Sequence, residues 1–268
     1  MDQPAASGDL KILQLTDCHL YHDPDRSLLG INTQQSLEEV VASILASGER
    51  PDAVVATGDL VHDGSESGYR RLASSLALLG APTLALPGNH DDPRVMDRVL
   101  GAEGIQVCGQ LEIGNWRLIL LDSHQPEQEG GRLAPEELER LDTLLEDDTR
   151  HVLIFVHHHP LPIGCRWLDR ISLANGDALL ERVRTHPQVK GILWGHVHQS
   201  WEGRLGQVQL LGTPSTCIQF APGEDEFALA LEPPAWRQIR LQADGTLSSQ
   251  VHHLHSLPLG LAVDSLGY

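Results

Sequence analysis

The segment Ala53–Asp59, AVVATGD, decides the fold, because a short apolar run leads there directly into a glycine and a carboxylate. Five further segments share this pattern of an apolar run followed by a polar cluster. They are Leu10–Leu15 before TDCH, Thr83–Leu86 before PGNHDDP, Leu118–Leu121 before DSHQ, Val152–Val156 before HHHPLP and Gly191–Trp194 before GHVH. Short runs that are apolar throughout are typical of strands buried on both faces. The pattern therefore predicts an α/β fold whose strands are covered on both sides.

Between these runs, apolar residues recur with the spacing of amphipathic helices. The three stripes are Leu37, Val40, Val41, Ile44 and Leu45, then Tyr69, Leu72, Leu76 and Leu79, and finally Leu138, Leu141, Leu144 and Leu145. Thr33 is the candidate N-cap of the first helix, and Pro135 lies at the first position of the third. The regular alternation of strand and helix indicates one large α/β domain.

The chain changes character after Leu210. Short strands follow, joined by turn signals that include Asp244-Gly245; they are Phe227–Leu231, Trp236–Leu241 and Leu247–Val251. We predict that this part is antiparallel and belongs to the same domain. The chain is thus interpreted as a single domain, 1–268, with its polar motifs at 17–198, a C-terminal β-rich part at about 205–252 and a tail at 253–268.

Composition limits the partners. The 268 residues contain 19 Lys and Arg against 37 Asp and Glu, which gives a net charge of −18. A chain this acidic is not expected to bind nucleic acid or an anionic membrane surface. Its four cysteines form no CxxC pair, which argues for reduced thiols and against a disulfide scaffold or a thiolate zinc site. The sequence shows no signal-peptide pattern and no apolar run of about 18 residues, so a cytoplasmic location is expected. No feature indicates the oligomeric state.

The polar clusters are rich in histidine, aspartate and asparagine, and each lies at the end of a predicted strand. They are Asp17-Cys18-His19, Gly58-Asp59, Gly88-Asn89-His90-Asp91, His157-His158-His159 and Gly195-His196-Val197-His198. Each cluster alone would most often be an ordinary turn or surface loop. Ligands of open α/β sheets bind at the carboxyl ends of the strands, so we expect the five clusters to converge.

The chemistry of these clusters indicates a metal centre. Carboxylate, imidazole and carboxamide donors without thiolate suit manganese, iron or zinc. Four imidazoles and two carboxylates exceed what one ion needs if it keeps an open position, so two ions sharing a carboxylate are expected, an arrangement that suits in-line phosphoryl displacement. Gly58, Gly88 and Gly195 each precede a candidate ligand, where a sharp turn or a close backbone approach would use a residue without Cβ.

The motifs D-x-H, G-D, G-N-H-D, a histidine-rich strand end and G-H-x-H, all present between Asp17 and His198, resemble the signature of the calcineurin-like metallophosphoesterase superfamily. Within that superfamily, longer strings resemble the bacterial class III cyclic-AMP phosphodiesterases over nearly the whole chain. They are LLGINT (Leu28–Thr33), HHHPLPIGCRWLD (His157–Asp169), TPSTCIQF (Thr213–Phe220) and the stretch Trp236–Thr246. The resemblance implies a four-layer αββα sandwich of two mixed sheets flanked by helices, with antiparallel strands at the C-terminal end.

The resemblance also implies the residues of the site. One ion would be held by Asp17, His19, Asp59 and His198, and the other by Asp59, Asn89, His157 and His196, with Asp59 bridging. Iron and manganese are the ions expected, and zinc is a third option. The substrate would contact His19, Asp59, Asn89, His90 and His198, and His90 would be the catalytic residue. Alignment on PLP selects His157 in the triple histidine, whereas alignment on the first proline selects His158. We prefer His157 because it follows the strand directly, while His158 would point away.

The function implied is hydrolysis of 3′,5′-cyclic AMP to 5′-AMP by a hydroxide that bridges the two ions, with His90 donating a proton to the departing 3′ oxygen. The partner would then be a small cyclic nucleotide. One alternative is a phosphoesterase acting on a phosphomonoester, a glycerophosphodiester or a nucleoside-diphosphate sugar. Another is a non-catalytic protein-binding scaffold, which would be expected to have lost metal ligands.

Residues near the motifs have expected supporting roles. Three carboxylates are placed to orient ligand imidazoles or amides; they are Asp63, Asp91 and Asp122. Three nearby histidines are interpreted as exposed loop residues; they are His22, His62 and His124. The segments Leu28–Asn32 and Gly164–Leu173 are candidates for walls near the purine.

Overall fold

The computed structural model describes residues 9–146 and 149–267. The strands are β1 (Leu10–Leu15), β2 (Ser27–Leu28), β3 (Ile31–Asn32), β4 (Ala53–Thr57), β5 (Thr83–Leu86), β6 (Gln106–Val107), β7 (Gly109–Ile113), β8 (Trp116–Leu121), β9 (His151–Val156), β10 (Val189–Trp194), β11 (Trp201–Leu205), β12 (Val208–Gly212), β13 (Gln219–Phe220), β14 (Leu229–Ala230), β15 (Ala235–Leu241) and β16 (Leu247–His253). The helices are α1 (Thr33–Ala46), α2 (Glu66–Ala77), α3 (Pro93–Ala102), α4 (Pro135–Glu146), α5 (Arg166–Asp169) and α6 (Gly176–Arg184). Each of the six predicted apolar runs forms a strand.

Two six-stranded sheets organise the described part of the chain. The first has the order β16-β15-β1-β4-β5-β6, and the second has the order β11-β12-β10-β9-β8-β7. Strands β1, β4, β5 and β6 are parallel to one another, and so are β8, β9, β10 and β12. Antiparallel strands lie towards the edges. Both sheets are therefore mixed, as predicted.

The two sheets pack face to face, and helices cover their outer faces. Strand β4 illustrates this packing, because successive side chains of a strand point to opposite faces of its sheet. Val55 packs between the sheets with Phe155 of β9. Val54 packs on the other face, in a cluster with Leu37 of α1 and Leu72 of α2. The second sheet is covered in the same way by α4 and α6, which confirms the four-layer αββα sandwich.

The start of α1 differs from the prediction by one residue. Asn32 is the N-cap, because its side-chain oxygen accepts a hydrogen bond from the Gln35 N–H at 2.7 Å, and Thr33 is the first residue of the helix. Leu45, the last member of the predicted stripe, is 47% exposed. Eight residues of helix rotate it by about 80° from Leu37, which takes it off the buried face.

The C-terminal strands are antiparallel, as predicted. Strand β15 pairs with β1, and β16 pairs with β15, so both extend the first sheet. The strand predicted at Phe227–Leu231 is shorter, because Phe227 packs instead against Trp167 with ring centroids 5.4 Å apart. Beyond β16 the chain lies along the β2–β3 hairpin, where the Ala262 N–H donates to the Leu29 carbonyl at 2.9 Å.

Two expectations from the composition can be compared with the structure. All four cysteines are free, as predicted. Within residues 9–146 and 149–267, no helix combines the length and the apolar character needed to cross a bilayer. Residues 1–8, the start of the segment that lacks a signal-peptide pattern, lie outside the described residues.

Candidate metal centre

The five polar clusters converge at one end of the two sheets. Three of them follow the adjacent parallel strands β1, β4 and β5 of the first sheet, and two follow β9 and β10 of the second. Contacts join the sheets directly, since the His196 backbone N–H donates to Asp17 Oδ2 at 3.0 Å. The convergence expected from the strand ends is thus present, and it brings all seven predicted metal ligands into one cluster.

Asp17, His19 and His198 form one side of this cluster, with one ligand atom from each within 4.8 Å of the others. His198 Nε2 lies 3.2 Å from Asp17 Oδ1 and 3.2 Å from His19 Nε2. His19 Nε2 lies 3.9 Å from Asp59 Oδ2. Asp17, His19 and His198 thus bring their ligand atoms together, and the Asp59 carboxylate lies beside His19.

His157, Asn89 and His196 form the other side. His157 Nε2 lies 3.3 Å from Asn89 Oδ1 and 3.4 Å from Asp59 Oδ2. The His196 ring packs against the His157 ring with centroids 5.1 Å apart. Asp59 Oδ2 thus lies between His19 of the first side and His157 of the second, which is where a shared carboxylate is needed.

The triple histidine brings both His157 and His158 beside His196, with one ring nitrogen of each within 4.8 Å of the others. His158 Nδ1 lies 2.8 Å from Ser123 Oγ, and its Nε2 lies 3.1 Å from the Glu129 carbonyl oxygen. Both ring nitrogens of His158 therefore already have partners, whereas His157 Nε2 lies next to Asp59 and Asn89. The geometry favours the register that we preferred from the sequence.

Backbone carbonyl oxygens fix the orientation of the imidazole rings. His157 Nδ1 lies 2.8 Å from the Thr57 carbonyl, and His198 Nδ1 lies 2.8 Å from the Ile218 carbonyl, so both rings turn Nε2 towards the cluster. His196 uses its Nε2 instead, 3.1 Å from the Ile171 carbonyl, which leaves Nδ1 as its ligand atom. Such a hydrogen bond sets both the tautomer and the aim of a metal-binding ring.

The prediction that nearby carboxylates orient these rings is wrong. Asp63 accepts from the His22 and Ser65 N–H groups, and Asp122 accepts from the His124 N–H at 2.8 Å. Asp91 holds backbone together, as it accepts from the N–H groups of Leu60, Val61 and Gly88 and from the Tyr69 hydroxyl. Carbonyl oxygens hold the rings of His157, His196 and His198. The three carboxylates instead accept from backbone N–H groups of nearby loops.

Replacement of Asp91 by alanine is expected to lower the free energy of unfolding by at least about 3 kcal/mol, since each buried donor left without an acceptor costs about 1–3 kcal/mol. Chemical denaturation monitored by circular dichroism would measure the loss. Asp92→Ala is the matched control, because Asp92 only caps α3 and loss of such a cap costs about 1 kcal/mol. Equal losses in the two variants would contradict the role given to Asp91.

The backbone of the cluster is held in an unusual conformation. Five of the predicted ligands have left-handed φ angles, which cost non-glycine residues about 1–3 kcal/mol each; they are Asp17 (53°), His19 (48°), Asp59 (50°), His196 (66°) and His198 (46°). A Cβ on Gly88 would lie 2.2 Å from Asp59 Oδ1, and a Cβ on Gly195 would lie 2.7 Å from Asp17 Oδ2. The prediction that these glycines permit close approach is confirmed.

Electrostatics favour a bound cation. Burial lowers the pKa of His19 and of His196 well below the usual imidazole value, so both are neutral, the form that binds metal. Burial also lowers the pKa of His157, but the Asp59 carboxylate raises it to about 9. No lysine or arginine within the described residues pairs with Asp17 or Asp59, and both carboxylates are buried. Buried charges need a partner: protonated His157 can pair with Asp59, and the donor set of the cluster fits metal ions in the same role.

His62 is a residue of the cluster that sequence reasoning missed. Its Nδ1 lies 3.1 Å from His19 Nδ1, and its ring stacks on the His90 ring with centroids 4.2 Å apart. Burial and the nearby His90 lower the pKa of His62 to about 4. The interpretation of His62 as an exposed loop histidine is wrong. Its position three residues after Asp59 was the one feature of the sequence that indicated a place in the cluster.

Comparisons with known proteins identify the family of the chain. The sequence profile of the calcineurin-like phosphoesterase family matches residues 10–200. A Pseudomonas aeruginosa protein named 3′,5′-cyclic adenosine monophosphate phosphodiesterase CpdA is 38% identical over 99% of this chain and 97% of its own length. The protein of the same name from Escherichia coli K12 is 42% identical over 93% of this chain and 92% of its own length.

Among solved structures, a dimetal phosphatase from Danio rerio superposes with a TM-score of 0.65. The alignment covers 92% of this chain and 99% of that one, at 18% sequence identity. Similarity at this level of identity supports the sandwich architecture alone.

Proposed function

Because the chain belongs to the calcineurin-like phosphoesterase family, we propose that it is an enzyme that hydrolyses 3′,5′-cyclic AMP to 5′-AMP at a centre of two metal ions. The observation that carries this proposal is the position of Asp59, whose carboxylate lies between His19 and His157 at the junction of the two sheets. The substrate class comes from the cyclic-AMP phosphodiesterases to which nearly the whole chain is similar.

Two sets of residues would hold the ions. The first is Asp17, His19, Asp59 and His198, and the second is Asp59, Asn89, His157 and His196. When bound, the ions would supply Lewis acidity, which lowers the pKa of water and stabilises negative charge on phosphate oxygens. Iron, manganese and zinc all suit this donor set, and iron and manganese are the ions that we propose.

The neutral side chain of Asn89 has a specific use at the second position. A carboxamide oxygen binds a cation without cancelling its charge, so positive charge is kept for the substrate. This explains how a protein with a net charge of −18 can bind an anion, since bound cations are often the largest local charges of a site. We propose that the phosphate lies beside His19, Asp59, Asn89, His90 and His198.

We propose that His90 acts as the general acid. Its backbone N–H donates to Asp59 Oδ1 at 2.9 Å, which fixes the residue beside the bridging carboxylate. Its ring packs edge-on against His19 and stacks on His62. In the proposed reaction, water bonds to phosphorus and releases one proton to solvent, and the bond to the 3′ oxygen breaks. The His90 imidazolium gives its proton to that oxygen, which becomes the 3′ hydroxyl of 5′-AMP, and a proton from solvent restores the imidazolium.

We also propose that residues 1–268 act as one metallophosphoesterase domain, since the C-terminal strand β15 completes the sheet that carries Asp17 and Asp59. A reducing compartment such as the cytoplasm is consistent with its four free cysteines. The partner is a small cyclic nucleotide.

Hydrolysis rates for three substrates test the function. We expect 3′,5′-cyclic AMP to be hydrolysed with a kcat/KM well above that for 4-nitrophenyl phosphate, a phosphomonoester, and that for 2′,3′-cyclic AMP. Preference for the phosphomonoester would assign the same centre to phosphatase chemistry. Negligible turnover of 3′,5′-cyclic AMP by metal-loaded protein would defeat the proposal.

A further inference from the structure

A cavity of about 210 Å³ opens beside the candidate metal centre and has two chemically different sides. The polar side includes Asn89, His90, His196 and Glu129, the apolar side includes Trp167, Ile171 and Phe227, and Gly267 also lines the cavity. Pockets that enclose a whole drug-sized ligand measure about 300–1,000 Å³. This cavity is therefore the right size for one part of such a ligand, with the rest lying over the polar groups.

The apolar side is built from aromatic rings, although the chain has few of them. Aromatic residues make up 4% of the sequence, and two of its three phenylalanines lie in this cluster. The Trp167 ring packs edge-on against Phe220 and Phe227, with centroids 5.0 Å and 5.4 Å apart. Trp167 and Phe227 are only half-buried, so part of each ring surface is available to a ligand.

The two loops that carry these rings are tied to each other. The Arg166 N–H donates to the Glu224 carbonyl at 3.1 Å, and the Arg166 guanidinium lies 3.3 Å from the Asp225 carboxylate. Asp169, at the end of α5, accepts from the Ile163 N–H at 2.8 Å. The aromatic side is therefore preorganised, which reduces the entropy lost when a ligand binds.

The aromatic side is also held at a fixed distance from the metal centre. Ile171 lines the cavity, and its carbonyl oxygen lies 3.1 Å from His196 Nε2. Phe220 stacks on His198 with centroids 4.1 Å apart. A nucleotide fits both sides, because its phosphate would lie at the proposed metal centre while its flat ring lies against Trp167 and Phe227.

We propose that Trp167 and Phe227 form the nucleobase-binding wall of the substrate site and make the enzyme specific for nucleotides over simple phosphodiesters. This inference rests on the proposed function, because it places the phosphate at the polar side of the cavity. The base stacks on the indole of Trp167, and Phe227 covers an adjoining part of the ring. Every base offers a π face to such a wall, so the contact selects for the presence of a base.

The test compares two substrates that differ only in the base. These are 3′,5′-cyclic AMP and the 3′,5′-cyclic phosphate of methyl riboside, which has no base. Trp167→Ala is expected to raise KM for cyclic AMP by about 5- to 150-fold, the range found when a stacking side chain is truncated, with little change in kcat. Its KM for the baseless substrate should stay as in the wild type. Trp167→Phe should recover part of the loss.

Two further variants control for folding. Phe227→Leu keeps the apolar volume but removes the aromatic face, so KM for cyclic AMP should rise in the same direction. Trp201→Ala removes another half-buried tryptophan, which packs on Trp194 from strand β11 and does not line the cavity, and should change neither KM. Metal content and the midpoint of thermal unfolding establish that each variant is folded and loaded.

Equal losses on both substrates in the Trp167 and Phe227 variants would overturn the inference, because the loops would then act by supporting the metal centre. Unchanged KM for cyclic AMP in folded variants would also overturn it. Failure of the proposed function can be distinguished from failure of this inference, because it is seen in the wild-type protein. Metal-loaded wild-type protein that cleaves neither cyclic phosphate, or that prefers a phosphomonoester, would refute the cyclic-AMP assignment before any variant is measured.

Discussion

Replacement of Asp59 by asparagine is expected to lower kcat/KM for 3′,5′-cyclic AMP by at least about 10³-fold, the upper end of the cost of losing one stabilising group, and to leave the protein with fewer than two bound ions. Asp59 is the residue whose carboxylate approaches imidazoles of both ligand sets, at 3.9 Å from His19 and 3.4 Å from His157. Asparagine offers one oxygen in place of two, and its amide nitrogen cannot bind a cation. Inductively coupled plasma mass spectrometry and steady-state kinetics would measure the two effects.

Asp63→Asn is the matched control for this substitution. Asp63 lies four residues further along the same loop, is exposed, and caps the Ser65 N–H. It should keep both ions and wild-type turnover. If Asp59→Asn retained two ions and full activity, a shared carboxylate would have no role in this protein.

Replacement of His90 by alanine is expected to lower kcat for cyclic AMP by about 10²–10⁴-fold, the usual contribution of general acid catalysis, with both ions still bound. The reason is that the 3′ alkoxide is a poor leaving group and needs a proton as it departs. Bis(4-nitrophenyl) phosphate should lose much less activity, because its phenolate leaves without protonation. Kinetics on the two substrates, together with metal analysis, would measure this difference.

His22→Ala supplies the comparison, since His22 is an exposed histidine whose Nδ1 contacts Ser67 Oγ at 2.9 Å. It should leave kcat for both substrates unchanged. Loss of metal in His90→Ala would make His90 a ligand and contradict the assignment. Equal losses on the two phosphodiesters would show that His90 binds the phosphate without transferring a proton.

The positions of the site residues could be predicted because they follow from topology. Asp17, Asp59 and Asn89 each come directly after a strand of apolar residues, and parallel strands bring their carboxyl ends to one edge. His157 and His196 arrive from the second sheet in the same way. The convergence of these residues could therefore be predicted from the apolar runs and their spacing, which are visible in the sequence.

The groups that support the site could not be predicted in the same way, because they depend on loop paths. Carbonyl oxygens of Thr57, Ile171 and Ile218 orient the imidazoles, and every residue has a carbonyl, so the sequence carries no signal for them. Asp91 was expected to face a ligand ring, but its buried oxygens satisfy three backbone N–H groups.

The aromatic cluster of Trp167, Phe220 and Phe227 could not be predicted from the sequence either. Trp167 lies in a segment predicted as a wall near the purine, but Phe220 and Phe227 are more than 50 residues further along the chain. Their rings meet because the loop after β13 folds back onto α5, through the contact of Arg166 with Glu224. Such contacts between distant loops have no periodic pattern from which they could be predicted.

Anomalous scattering from crystals of the protein loaded with manganese would locate the ions themselves. We predict two anomalous peaks about 3.5–4 Å apart, the usual spacing of paired catalytic metals. One peak should lie against Asp17, His19 and His198, the other against Asn89, His157 and His196, and Asp59 should touch both. A single peak, or two peaks without Asp59 between them, would contradict the shared two-metal centre.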